Sequence, residues 1–126
     1  MPYEYRIDPA ARRVVIRGFG PSTFEESQRA AEALIADPGY NPTFAILVDG
    51  RELEYLASYQ DALRFRDMFG LLRTSFRGPI AVVVQGTARY GVSRMIATMA
   101  DLVGVRMEAF LSISDAEGWI LEQGGP

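Results

Sequence analysis

Residues Thr43 to Ser58 read TFAILVDGRELEYLAS. Phe44, Ala45, Ile46, Leu47 and Val48 are apolar without alternation, the pattern of a strand covered on both faces in a parallel sheet. Asp49 and Gly50 close the run at its carboxyl end, the edge at which open α/β sheets place ligands. Ser58, with Asp61 three positions on, then opens a helix. A buried strand, an acid, a loop and a helix start in that order place the chain in the α/β class.

Towards the amino terminus, Tyr3 to Asp8 alternates as a half-exposed strand does, with Tyr3, Tyr5 and Ile7 on the core side. Pro9 and Ala10 break it, and Val14 to Arg17 forms a second strand, so the simplest pairing is an antiparallel hairpin. Gly18 to Pro21 ends that strand. Ser22 and Glu25 have capping-box spacing ahead of a helix over Thr23 to Ala36, which carries Phe24, Ala31, Leu34 and Ile35 on one face. Asp37-Pro38-Gly39 stops it.

Towards the carboxyl terminus, the helix opened by Ser58 extends to about Ser75. Ala62, Phe65, Met68, Phe69, Leu72 and Phe76 make one face, and Leu63 and Leu71 fall outside it. That is more apolar surface than one sheet contact needs. It suits a helix held between the sheet and another helix, a dimer face, or the wall of an apolar ligand groove. Ile80 to Val84 is a second buried-type strand. Thr87 caps a third helix over Ala88 to Val103, with Val92, Met95, Ile96, Met99, Leu102 and Val103 inward, and Gly104 ends it. Arg106 to Leu111 is a last strand. Ser114 and Glu117 form another capping box before a short helix with Trp119 and Ile120. The order β-β-α-β-α-β-α-β-α implies a mixed, mostly parallel sheet of about five strands packed with helices, in one domain over residues 1–126.

The chain has no His, no Cys and no Lys, and all 13 basic residues are Arg. A Ser-His-acid triad, a Cys-His pair, a Schiff-base lysine and a P-loop lysine are therefore impossible. Without imidazole or thiolate, no metal site and no cofactor are expected. A net charge of −3 with no basic stripe argues against a nucleic-acid partner. No apolar run is long enough for a membrane span, and MPYEYRID lacks the apolar core of a secretory signal, so a cytoplasmic location is expected.

The topology gathers Asp49, Arg51, Ser58, Thr87 and Arg89, with Ser22 and Gln85, along one sheet edge, each just after a strand or at a helix start. Helix amino termini present free amides and partial positive charge, so the hydroxyls of Ser58 and Thr87 with Arg89 suit either plain capping or an anion. Asp49 either caps nearby amides or serves a ligand or a general-base reaction.

The element order, the strand FAILVD, the long second helix, the strand IAVVV followed by TARYG, and the ending EAFLSISDAEGWI together resemble the SpoIIAA-like proteins. That group is related to STAS domains (sulfate transporter and anti-sigma factor antagonist) and compared with the lipid-binding SEC14 fold. The resemblance implies a non-catalytic regulatory or protein-interaction module, with a homodimer through the second helix as one form of contact. In STAS antagonists a Ser at the start of the helix after the buried strand is phosphorylated, and Ser58 falls at the matching distance here. Ala57 stands where those proteins carry Asp, and Tyr59 follows. The SEC14-like relatives imply an alternative, a carrier of a small apolar or lipid-like ligand, with Phe65, Phe69, Leu72 and Phe76 among the pocket walls. A carboxylate-dependent enzyme using Asp49 with Arg51 or Arg89 is the third expectation.

Overall fold

The computed structural model describes residues 2–123, so Met1 and residues 124–126 of the expected 1–126 domain lie outside it. Strand β1 (Tyr3–Asp8) pairs antiparallel with β2 (Arg13–Gly20), and β2, β3 (Ala45–Leu53), β4 (Ile80–Val83) and β5 (Met107–Phe110) are mutually parallel. Helices α1 (Phe24–Ala36), α2 (Tyr59–Leu72), α3 (Thr87–Leu102) and α4 (Ile113–Glu122) alternate with them as the sequence predicts.

The strands lie in the order β1-β2-β3-β4-β5. Right-handed crossovers that always step the same way leave α1, α2 and α3 on one face of the sheet. There is accordingly no reversal of strand order and no crevice between diverging helices of the kind that binds ligands in doubly wound sheets. Helix α4 follows the last strand, folds back, and covers the opposite face over β3, β4 and β5.

The two faces are packed differently. Under α4 lie Ala45, Leu47, Ala81 and Val83, against Ala116 and Ile120. The alanines let the helix approach closely, and Ala81, Val83 and Ala116 are fully buried. Phe110 and Trp119 close this side at a centroid distance of 5.7 Å, and Arg13 ties β2 to α4 through two hydrogen bonds to Glu117 at 2.6 and 2.7 Å. On the other face, the row Val14, Ile46, Ile80 and Met107 is sealed by Leu34, Met68, Phe69, Phe76 and Ala100.

Several local expectations shift. Thr23 rather than Ser22 caps α1, its hydroxyl accepting from the Glu26 amide. Ser112 rather than Ser114 caps α4, which frees Glu117 for Arg13. Helix α2 stops at Leu72 and a 3-10 turn (Arg73–Ser75) continues the chain, so Phe76 reaches the core from beyond the helix. Leu102 is 80% exposed and not inward, because α3 unwinds there into the turn at Gly104, where φ is +97°. Strand β3 runs on to Leu53: an extra residue opposite the Arg17 to Phe19 step makes a bulge that carries the pairing past Gly50.

Candidate functional site

Ile16, Val48 and Val82 face one another across β2, β3 and β4 on the side of α1 to α3. In the middle of a sheet such residues are normally sealed, yet all three are only half-buried. Above them is a cavity of about 200 Å³ that opens towards the carboxyl ends of the parallel strands. Its deep end is made by Ile46, Ile80, Met107 and Phe76, and its walls by Phe65, Met68 and Phe69 of α2 and Val92 and Ile96 of α3. Helix α1 contributes only Ser27, Ala30, Ala31 and Leu34. Three small side chains of those four leave the helix layer short of the volume needed to close over β2 and β3.

The roof near the mouth is Leu53 at the end of β3, with Tyr55, Leu56 and Ala57 of the extended segment after it. Leu53 lies over Gly18, where a Cβ atom would stand 2.8 Å from the leucine Cγ, so the absence of a side chain at Gly18 seats it. Glu54 anchors the segment by an amide hydrogen bond to the Gly20 carbonyl at 2.9 Å. The space is open at its mouth and lined mostly by apolar side chains, as small-molecule sites usually are.

Five polar side chains interrupt the apolar lining. Tyr3 and Ser27 bond each other at 2.7 Å, and Ser22 donates to the Tyr3 hydroxyl at 3.0 Å. Tyr55 donates to Asp61 at 2.8 Å; burial, with Asp61 beside it, pushes its phenol well above the usual range and keeps it protonated. Ser93 is the fourth. Arg89, one turn before Ser93 on α3, is the only charged residue of the lining. Its Nε is the one buried side-chain nitrogen or oxygen among the described residues that lacks a hydrogen-bond partner.

The architecture can be matched to a solved structure. An uncharacterised protein of the DUF3478 family from Shewanella loihica PV-4, whose crystal structure has a SpoIIAA-like fold, superposes with a TM-score of 0.56 over 94% of this chain and 91% of that one, at 19% identity. The fold is SpoIIAA-like. At that identity the likeness establishes the fold alone. No protein-family model matches the chain. No curated protein matches it either.

Within this SpoIIAA-like frame the residues expected along one edge separate into groups. Asp49 and Arg51 stand on the α4 side: Leu47 packs under α4, and strand alternation turns Asp49 the same way. Arg51 donates from Nε and Nη2 to the two Asp49 oxygens, each at 2.9 Å, and this guanidinium holds the carboxyl below its usual range. A carboxylate engaged in that fork and separated from Arg89 by the sheet is not part of the cavity. Ser58 caps α2, accepting from the Asp61 amide at 3.0 Å, and is exposed. Thr87 is not a cap. It is the first residue of α3, and Gly86, at φ +93°, occupies the cap position without a side chain to offer. Of the four apolar candidates, Phe65, Phe69 and Phe76 line the cavity, whereas Leu72 packs against the adjacent core.

The roof segment and the small-residue face of α1 lie outside the residues that the sequence marks as candidates. The pair Ala30-Ala31 and Ser27 one turn earlier were a readable sign that this helix stands off from the sheet. The partner of Gly18 was not readable, because Leu53 meets it only across two paired strands.

Among the described residues no helix is long and apolar enough to cross a membrane, and no cluster of three or more potential metal ligands occurs.

Proposed function

We propose that this domain is a non-catalytic binding module that holds a small apolar ligand between the sheet and helices α1 to α3. The observation that carries this reading is the cavity of about 200 Å³ over half-buried Ile16, Val48 and Val82 in the middle of the sheet. Its size lies between the roughly 150 Å³ void that takes up benzene and the roughly 300 Å³ at which sites for drug-sized ligands begin. The lining offers apolar contact and few polar groups, the usual composition of a small-molecule site. No carboxylate or imidazole lies within the lining to take up a proton from its hydroxyls. Titration of the isotopically labelled protein with 1-octanol, a neutral probe, tests the reading by NMR. Shifts should concentrate at Val48, Phe69, Val82 and Ile96 and vanish in Val82→Phe, which fills the space from its floor. Shifts scattered over the surface, or unchanged in that variant, would refute it.

A second reading, contact with a protein or a second copy of the chain, is favoured by Leu71 and Leu102, which are 85% and 80% exposed near the adjoining ends of α2 and α3. Light scattering at micromolar concentrations should then report a dimer that Leu71→Glu dissociates; a monomer throughout removes the homodimer from consideration.

A further inference from the structure

Seven arginines among the described residues donate to other side chains, Arg106 among them through Gln123. Arg13 reaches Glu117, Arg17 reaches Glu4 and Glu52, Arg51 reaches Asp49, Arg64 reaches Glu25 and Asp61, and Arg66 reaches Asp67, while Arg12 reaches Thr43. Arg89 has no such partner, and no Asp or Glu lines the cavity it enters. Its Nε is buried and unbonded while the residue as a whole is half-exposed. The side chain therefore runs from the cavity wall towards solvent, with its donor edge at the boundary. A buried guanidinium N–H without an acceptor is unfavourable unless something else supplies one.

We propose that the ligand of this cavity is a small monocarboxylate, its apolar body inside and its carboxylate forked on Arg89. The inference rests on the reading of the cavity as an apolar binding site and specifies the class of molecule. Carboxylate geometry matches the guanidinium edge, Nε and one Nη meeting the two oxygens in parallel. Ser93 lies one turn further along α3 on the same wall, and its hydroxyl makes no hydrogen bond to another described residue, so it adds a third donor at the mouth. Arg89 also belongs to the first turn of α3, where the helix dipole favours negative charge.

Charge and volume narrow the class. A single cation suits a single negative charge; a phosphate monoester near pH 7 brings closer to two, and the lining holds no second cation for it. An amine would bring a cation against Arg89 with no carboxylate to receive it. Scaled from the roughly 150 Å³ that accommodates benzene, the space admits a molecule of about eight to ten non-hydrogen atoms, such as a medium-length fatty acid or an arylalkanoic acid.

Calorimetric titration of the full chain with sodium octanoate, 1-octanol, octylammonium and octyl phosphate tests this. Octanoate should bind at least about ten-fold tighter than octanol, the gain expected of a charge-assisted fork over a neutral hydroxyl. In Arg89→Met, which keeps the length and apolar stem of the side chain, that preference should fall to less than about two-fold with octanol affinity retained. Octanol binding as tightly as octanoate to the native protein overturns the carboxylate and leaves the apolar site standing; this comparison needs no variant. Tighter binding of octyl phosphate or octylammonium overturns the class, and a preference that survives in Arg89→Met overturns the role of Arg89. Failure of every probe to bind defeats the apolar-site reading together with the proposal.

Discussion

Ala81 and Val82 are neighbours in β4 that point to opposite faces of the same sheet, and their surroundings differ as much as any two places in the molecule. Ala81 is fully buried beneath α4, where Ala45 and Ala116 keep the layers close. Val82 looks into unfilled space beneath α1 to α3. One helix with small residues at its contact seals its side. Three helices on the other side leave a cavity, because α1 brings Ser27, Ala30 and Ala31 to a place where only large side chains would span the gap. Interior close packing is thus a property of each pair of facing surfaces and does not follow from the number of elements laid over a sheet.

The largest effect by which this contrast can be broken is an enlarged residue on the closed side. Ala81→Leu should cost about 2 kcal/mol through overpacking against α4. Val82→Leu, one residue away, should change stability by less than about 1 kcal/mol, since its added volume has room. Urea unfolding of the two variants measures both, and equal losses would mean that the two faces are packed alike.

The smallest effect concerns the two arginines on opposite sides of the sheet. Arg51 is satisfied by Asp49, and the pair is partly exposed, so Asp49→Asn should cost only about 0.5 kcal/mol at neutral pH. Because the folded-state pKa of Asp49 is lowered by Arg51, its contribution is present above the ordinary carboxylate pKa. It is lost as the pH falls from that value through the lower folded one. The difference between native protein and Asp49→Asn should therefore shrink below about pH 4. A difference that persists unchanged in acid would show that Asn is costly for another reason than charge.

The alternation of buried runs and helical faces made the order of all nine elements legible, and the short connection through Pro9 and Ala10 made the hairpin legible too. Ser58 was readable as a cap because the accepting hydroxyl and the donating Asp61 amide are three residues apart. The same logic failed by one or two residues at Thr23 and Ser112, where adjacent hydroxyls compete and the entry angle of the chain selects between them. Asp49 attracted interest as the acid closing a buried strand; its bulge-continued strand and its fork with Arg51 are products of pairing with β2 and of the chain's return two residues later. Arg89 was legible as a helix-start cation, but its lack of a partner was not, since that requires knowing that no acid from α1, α2 or the roof reaches it.

Local spacing, then, determined the elements, their order and the absence of imidazole, thiol and amine chemistry, because those depend on residues near one another in sequence or on composition alone. Only the tertiary structure decided which side of the sheet each candidate faces and whether the core closes. Strand alternation separates Asp49 from Arg89 once the register is set. The volume that α1 leaves open is a difference between surfaces contributed by segments far apart in the chain, and no single segment encodes it.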